Sequence, residues 1–365
     1  MRRGATGLMA ALLTLSCGGA SPGASHSPSP SASASDTASS APTSTPSAGP
    51  LTGVYGLLLS AGTLYLIKPD ATEAGSVSVA APAVQSCGQG MAAVLQPPVS
   101  ASNDQVYFRD GDTKIRMVVP PASAVDVTTV PGGPNTISFF SVSPDDQRIA
   151  VLVEDLSGST SISLRLYVED LHGGGHHADI YTTTTPKGTA GAAPWPMGWH
   201  QGQLVLAVWA ACALQHVPYP NAWHVVDAST ANRVAVIGDT SCPPSVWPSP
   251  AGVTCFDSVA GKARVYDWAG KVGTTLQTQI GVPELSPSGR LLSAGNGGGV
   301  GNPAPTNTMI GIDGSGSVAT PGHMGCLWID DSDVLAPDAI IAYPSGAATP
   351  LAQSGQCAGR FPGGL

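Results

Sequence analysis

Short apolar runs separated by turn-forming residues dominate the chain from about residue 51 onward. One arrangement recurs: an apolar strand, a short turn with Asp, Gly or Pro, and a second strand. Runs of this kind, bounded by turn residues, predict β-hairpins. Seven such pairs are present, and their starts lie roughly 46 residues apart on average. The pairs are 64–70 with 76–80, 115–119 with 125–130, 164–170 with 179–181, 224–227 with 233–237, 264–267 with 274–276, 309–313 with 318, and 340–344 with 351.

A second motif precedes most of the hairpins and predicts another tight turn. It consists of Ser-Pro, then Asp, Ala or Ser, then Asp or Gly, followed by a strand. The clear copies are 143–146 (SPDD), 249–252 (SPAG) and 286–289 (SPSG), and weaker copies begin at Ser102, Trp199 and Trp328. Pro followed by Asp or Gly favours a turn between two strands. Each repeat therefore offers four strands.

These segments resemble the repeat of TolB-like β-propellers, and the resemblance covers nearly all of residues 51–357. It implies an all-β fold of four-stranded blades arrayed around an axis. We expect seven blades, with six as the alternative. The first repeat lacks one strand, and residues 356–365 are expected to supply it as the innermost strand. Closing the ring in this way would remove the open sheet edges.

The N-terminus has the features of an export signal. Arg2 and Arg3 precede a short apolar segment, 8–15, which is too short to remain as a membrane span. Residues 14–17 (TLSC) resemble the bacterial lipobox, with Thr14 where that family usually has Leu. The resemblance implies a signal peptide at 1–16 and a lipid, such as palmitate, on Cys17. The alternative is an ordinary cleaved signal peptide and a chance cysteine.

Residues 17–50 are expected to form a disordered tether. This stretch is rich in Ser, Pro and Ala and has almost no larger apolar side chain, so it cannot bury enough surface to offset its ordering entropy. The predicted organisation is therefore a signal peptide (1–16), an anchor and linker (17–50) and a propeller domain (51–365). The predicted location is the extracytoplasmic face of the cell membrane.

Composition changes this picture in two ways. The chain holds 45 Gly and 33 Pro, and only 11% of its residues are charged, which suits many short strands and turns. The formal net charge is −9 and no basic cluster occurs, so nucleic acid is not expected as a partner. The most apolar internal run, 204–214, is too short for a membrane span and reads as a buried strand.

Six cysteines remain if Cys17 is lipidated, which permits up to three disulfides in an exported protein. No C-x-x-C spacing occurs, so a zinc or redox motif is not expected. Sequence alone cannot choose among the pairings, although the expected topology puts Cys212 and Cys242 on one face and makes that pair the first to test. The disulfide candidates are Cys87, Cys212, Cys242, Cys255, Cys326 and Cys357.

Other candidate chemistry is sparse, and we assign no catalytic residue and no cofactor. His172, His176, His177 and Asp179 form the densest group of metal-ligating residues, but a Gly-rich hairpin tip explains the same pattern. Three further patterns have structural or chance explanations. These are the Asp-rich turns at 110–112 and 330–333, the Gly-rich loop at 296–303, and the G-x-S-x-G match at 19–23.

Five tryptophans fall in the central repeats. They are Trp195, Trp199, Trp209, Trp223 and Trp247. Their repeat-equivalent places favour packing between sheets. The alternative is an aromatic face for a sugar or a protein partner.

The sequence favours a binding scaffold over an enzyme. The expected partner is another envelope protein, a carbohydrate or a small ligand, with the membrane contacted through the lipid alone. The alternative is an envelope enzyme, a lyase or glycoside-acting propeller with a site at the central channel. Such an enzyme would require paired carboxylates or a metal site, and the spacing of the glutamates does not indicate a catalytic pair. They are Glu73, Glu154, Glu169 and Glu284.

Overall fold

Antiparallel β-strands form all the regular structure that the computed structural model describes, and no described residue is helical. The described residues are 49–84, 86–88, 90–188, 191–213, 219–278, 280–296 and 305–365. The predicted all-β propeller is therefore confirmed. Within these residues, no helix is available that could span a membrane.

The first half of the chain forms sheets 1 to 3 and part of a small extra sheet. Sheet 1 contains β1 (Tyr55–Ser60), β2 (Thr63–Ile67) and β3 (Glu73–Ser78). Two short strands of the small sheet follow, β4 (Ser86–Gly88) and β5 (Met91–Ala93). Sheet 2 contains β6 (Val99–Ala101), β7 (Val106–Asp110), β8 (Lys114–Val119) and β9 (Ser123–Thr129). Sheet 3 contains β10 (Thr136–Val142), β11 (Arg148–Asp155), β12 (Ser161–Asp170) and β13 (His177–Pro186).

The second half forms sheets 4 to 7 and the remaining strands. Sheet 4 contains β14 (Ala192–His200), β15 (Gln203–Ala210), β17 (Ala222–Asp227) and β18 (Arg233–Ile237), while β16 (Cys212–Ala213) joins the small sheet. Sheet 5 contains β19 (Val253–Asp257), β20 (Lys262–Tyr266) and β21 (Val272–Gln277). Sheet 6 contains β22 (Glu284–Leu285), β23 (Leu291–Asn296), β24 (Thr306–Gly311) and β25 (Val318–Pro321). Sheet 7 contains β26 (Leu327–Trp328), β27 (Asp333–Leu335), β28 (Ala339–Ala342) and β29 (Ala348–Pro350), and the final strand is β30 (Gln356–Phe361).

All seven predicted hairpins are present, and each forms the outer pair of strands in one of the sheets 1 to 7. The inner strands are β30, β6, β10, β14, β22 and β26. Strand β30 packs on β6, β6 on β10, β10 on β14, β22 on β26, and β26 on β30. Sheet 5 has an irregular segment in the inner position, described below. The sheets match the sequence repeat one for one, while the number of blades stays a prediction.

The outermost strand of each sheet is its most exposed strand, and in sheets 2 and 3 its sequence is correspondingly more polar. Strand β11 (RIAVLVED) has an unbroken apolar run at 149–153 because neighbouring sheets cover both of its faces. Strand β13 (HADIYTTTTP) is mostly exposed and rich in Thr, which tolerates an open, pleated edge. The apolar clusters lie between adjacent sheets, so each sheet buries its faces against its neighbours.

The Ser-Pro turns form as predicted, with a buried serine in each. Ser143 shows the pattern: its Oγ accepts a hydrogen bond from the Arg148 N–H at 2.9 Å and donates one to Asp145 at 2.6 Å. Ser286 likewise accepts from the Leu291 N–H at 3.2 Å. The hydroxyl therefore satisfies a backbone donor that would otherwise be buried without a partner.

Tryptophan indoles tie neighbouring sheets together by hydrogen bonds. Trp199 Nε1 donates to the Ser141 carbonyl at 3.2 Å, Trp223 Nε1 to the Ser245 carbonyl at 3.0 Å, and Trp328 Nε1 to the Glu284 carbonyl at 3.2 Å. The bonds join sheet 3 to sheet 4, sheet 4 to the segment before β19, and sheet 6 to sheet 7. The large rings thus fill the space between sheets, and their single donor is satisfied there.

Strand β30 closes the ring as predicted. It pairs antiparallel with β1, placing Tyr55 opposite Phe361 and Leu59 opposite Gln356, and becomes the inner strand of sheet 1. A disulfide between Cys326 and Cys357 joins this strand to the segment entering sheet 7. The two ends of the repeat array are therefore held by strand pairing and by a covalent bond.

Candidate functional site

The inner strands surround a central cavity, which is the candidate site. Its lining comes from β6, β10, β14, β22, β26 and β30, with Arg109 of β7 and the segment 247–248 in addition. The empty space is about 1010 Å³, including solvent at its mouth. Propellers and other ring-shaped folds commonly place ligands where several elements converge on such a concavity.

The inner segment of sheet 5 is irregular because proline interrupts it. Residues 243–250 read PPSVWPSP, and proline offers no N–H for a strand ladder. The backbone of this segment donates hydrogen bonds to the carboxyl group of Glu284, at the start of β22. Its Oε1 accepts from the Val246 N–H at 3.0 Å and its Oε2 from the Trp247 N–H at 3.2 Å. The carboxyl group thereby positions Trp247 at the cavity wall.

Burial raises the pKa of Glu284 to about 8, despite the opposing effect of its hydrogen bonds to Val246, Trp247 and Ser245. The residue keeps part of its surface open, but its carboxyl group lies deep among protein atoms. Loss of hydration disfavours the charged form of a carboxyl group. Burial therefore favours the neutral form of Glu284, while its backbone hydrogen bonds favour the charged form.

Arg109 is a nearly buried cation in the cavity wall, with 2% of its surface exposed. Its Nη1 donates to the Ser138 carbonyl of β10, and its guanidinium lies 5.9 Å from the centre of the Phe139 ring. Its Nε is buried and has no hydrogen-bond partner in the described structure. Burial lowers the pKa of Arg109 to about 10, with Asp112 opposing the shift.

Arg360 of β30 supplies a second cation to the same cavity. Its Nη2 donates to the Gly364 carbonyl at 3.3 Å. Burial lowers the pKa of Arg360 to about 10, and Asp331 opposes the shift. Both arginines stay charged at neutral pH because an arginine pKa near 10 is still far above 7.

Residues 362–365 cross from β30 toward sheets 2 and 4 and form part of the lining. The Gly363 N–H donates to the Ser102 carbonyl at 2.8 Å, and the Leu365 N–H to the Trp199 carbonyl at 3.2 Å. A Cβ added to Gly363 would collide with the Ala101 carbonyl. Glycine is therefore required for this close backbone approach.

Trp195 links the cavity wall to a buried acid behind it. Its ring stacks on Phe139 with 4.7 Å between centroids, and its Nε1 donates to Glu154 Oε1 at 3.0 Å. Glu154 is fully buried, and its Oε2 has no partner in the described structure. Burial raises the pKa of Glu154 to about 8, with the Trp195 bond opposing the shift.

The disulfide pairing favoured from sequence, Cys212 with Cys242, is wrong. The six candidates form three bonds, Cys87–Cys212, Cys242–Cys255 and Cys326–Cys357. The prediction placed two connections on one face but overlooked the insertion carrying Cys87. Strand β5 of that insertion pairs with β16 and brings the Cys87 region to Cys212. Cys17 lies outside the described residues.

The histidine cluster lies on the exposed end of the β12–β13 hairpin. His177 Nδ1 is 3.4 Å from Glu169 Oε2, and its Nε2 is 3.6 Å from Asp179 Oδ1. Arg165 also contacts Asp179, through Nε at 2.8 Å. His172 and His176 are exposed nearby. In the described ranges, no group of three or more His, Cys, Asp or Glu side chains is placed to hold a metal ion, and the contacts at this hairpin form a surface ion-pair network.

The remaining sequence patterns are the tryptophans, the acidic turns, the G-x-S-x-G match and the Gly-rich loop. Packing is confirmed for Trp195, Trp199, Trp209 and Trp223, which are at most 3% exposed, whereas Trp247 is half-buried and lines the cavity. The acidic turns are structural: Asp112 accepts from the Ala83 N–H at 2.6 Å, and Asp330 from the Ser332 N–H at 2.7 Å. The G-x-S-x-G match and nearly all of the Gly-rich loop lie outside the described residues.

The charged lining residues were missed at the sequence level. Arg109 directly follows three apolar residues in strand β7 (VYFRD), which is the one local sign of a buried cation. Arg360 follows Ala-Gly at the chain end and gives no such sign. Glu284 precedes a Ser-Pro turn, but its partners are almost forty residues away. Only the ring brings these groups together.

Comparisons with known proteins concern the fold. No protein-family model matches the sequence, and neither does a curated protein. A chain from the crystal structure of a mitotic checkpoint complex is similar at 12% identity and a TM-score of 0.45, over 72% of this chain and 81% of that chain. A protein of unknown function from Bacteroides caccae is similar at 9% identity and a TM-score of 0.41, over 72% and 92%.

Prolyl oligopeptidase B from Galerina marginata is similar at 10% identity and a TM-score of 0.44, over 73% of this chain. The similarity spans 39% of that enzyme's chain. These likenesses are to fold alone, and we infer function from this chain's own residues.

Proposed function

We propose that this protein is a lipid-anchored, extracytoplasmic β-propeller that works as a binding scaffold, with its ligand site at the central cavity. The anchor is Cys17 and the tether is the linker at 17–50. The three disulfides support the extracytoplasmic location, because such bonds persist mainly in oxidising compartments.

The cavity lining carries the binding part of the proposal. It combines the buried Arg109 and the half-buried Arg360 with tryptophan walls and the carboxyl group of Glu284, and these are groups that hold a ligand. The described lining contains one carboxylate residue, Glu284, and both of its oxygens accept backbone N–H groups. That arrangement favours a structural role for Glu284. The pair of carboxyl groups needed by a glycoside-acting enzyme is not assembled in the described lining.

Metabolic labelling with palmitate tests the anchor. The full chain and a Cys17→Ser variant would be expressed in a bacterial host with a lipoprotein pathway, and cells would be fractionated. We expect label and membrane association in the wild type, with the label lost in Cys17→Ser. A Cys87→Ser variant is the matched control, because it removes another cysteine and should keep the label. An unlabelled wild-type chain, or one found in the cytosol, would refute the proposal.

A further inference from the structure

The central cavity holds two cations whose counter-charges lie elsewhere. The carboxylates that act on Arg109 and Arg360 are Asp112 and Asp331, and neither belongs to the cavity lining. Asp112 accepts from the Ala83 N–H at 2.6 Å, and Asp331 from the Ser288 N–H at 3.0 Å. No ion pair joins Arg109 or Arg360 to a described carboxylate. Glu284, the acid of the described lining, uses both carboxyl oxygens to accept backbone N–H groups.

Structural hydrogen bonds do not use all the donors of these arginines. A guanidinium has five N–H groups. Arg109 gives one to the Ser138 carbonyl, and its buried Nε has no partner in the described structure. A buried cation of this kind is unfavourable unless an anion pairs with it. An anionic group in the cavity would supply both the missing acceptor and the missing charge.

The rest of the wall selects the class of anion. Leu57, Met197 and Phe140 line the space together with Trp247 and Trp328, so the ligand meets apolar and aromatic surface beside the cations. The desolvation penalty rises steeply with charge, so a singly charged carboxylate enters such a site more readily than a doubly charged phosphate or sulfate. Arginine also matches the planar carboxylate with parallel N–H bonds.

We propose that the central cavity binds a small organic acid, with its carboxylate held by Arg109 and Arg360 and its apolar body held against the tryptophan-lined wall. The assignment rests on the proposed binding function and names the ligand class of the same site. It does not depend on the lipid anchor, since palmitate labelling and carboxylate binding are measured separately.

The test uses 4-fluorobenzoate as the probe and 4-fluorobenzamide as its neutral counterpart. Fluorine NMR line broadening would be followed during titration of the full chain purified in non-ionic detergent, with detergent alone as the blank. We expect saturable binding of the benzoate and binding of the benzamide that is about tenfold to a hundredfold weaker. That range corresponds to the loss of a hydrogen bond between charged partners.

Three arginine variants make the test specific. Arg109→Met and Arg360→Met should each weaken benzoate binding about tenfold or more, while Arg165→Met on the outer hairpin of sheet 3 should change it less than twofold. Arg109→Lys keeps the charge and should retain part of the affinity. If Arg109→Met does not fold, Arg360→Met and the comparison of benzoate with benzamide still test whether the cavity binds a carboxylate.

Four results would overturn the assignment. One is equal affinity for benzoate and benzamide, which would indicate an apolar pocket that ignores charge. Another is benzoate binding that neither arginine variant weakens. The third is competition by sulfate at the same concentration as benzoate, and the fourth is absence of benzoate binding altogether. Membrane anchoring would stand in each case, so failure of the ligand class is distinguishable from failure of the location.

Discussion

Glu154 makes a sharp prediction about the pH dependence of stability. It is fully buried on β11, one oxygen accepts the Trp195 indole N–H, and the other has no partner in the described structure. Burial raises its pKa from the ordinary 4.5 to about 8. Replacing it with glutamine keeps the shape and an acceptor for Trp195, but removes the ionisable proton.

The expected size follows from proton linkage. Between pH 4.5 and 8 the unfolded chain has released the Glu154 proton and the folded chain still holds it. Each pH unit in that window then lowers the free energy of unfolding of the wild type by about 1.4 kcal/mol relative to Glu154→Gln. The difference accumulates to as much as about 5 kcal/mol near pH 8 and becomes constant above it.

Urea denaturation followed by tryptophan fluorescence, with disulfides intact, measures the free energy of unfolding of both proteins at several values of pH. Below pH 4.5 the two proteins should have similar stability, and the variant should become progressively the more stable one as pH rises. Glu73→Gln is the matched control because Glu73 is exposed and the change removes one surface charge. Parallel pH profiles for wild type and Glu154→Gln would refute the reasoning, since they would mean that the folded state does not retain the proton.

Two further predictions concern ring closure. Replacing Cys326 and Cys357 with alanine removes a bond that spans 31 residues, and chain entropy predicts a loss of about 3.7 kcal/mol, against about 2.9 kcal/mol for the 13-residue Cys242–Cys255 bond. Urea unfolding compares the two variants, and a larger loss at the shorter loop would contradict the ordering. Gly363→Ala should destabilise the protein by about 1–3 kcal/mol because its Cβ meets a β6 carbonyl, and an unchanged melting temperature would contradict that contact.

Local patterns predicted the repeating unit well because the signals for it are local. Apolar runs and turn residues identified every outer hairpin, and Ser143 marked a tight turn that its own hydroxyl stabilises. The missing strand of the first repeat was also predictable, because the first repeat has only three strands and residues 356–365 can supply its inner strand. Strand β30 occupies that place.

The candidate site was not predictable in the same way. Arg109, Glu284 and Arg360 are 76 to 251 residues apart and show no motif in common. Their shifted pKa values arise from burial, which depends on neighbouring sheets. The wrong disulfide guess has the same origin, because the pairing of β5 with β16 joins segments more than a hundred residues apart.

The sequence by itself determined the strands of the repeats, their turns and the order in which they follow, because these depend on side-chain alternation and backbone preferences within a few residues. The tertiary structure alone decided which cysteines meet and which charges share the central cavity. The physical reason is that desolvation and contact are properties of the closed ring, where the inner strands of distant repeats surround one small volume.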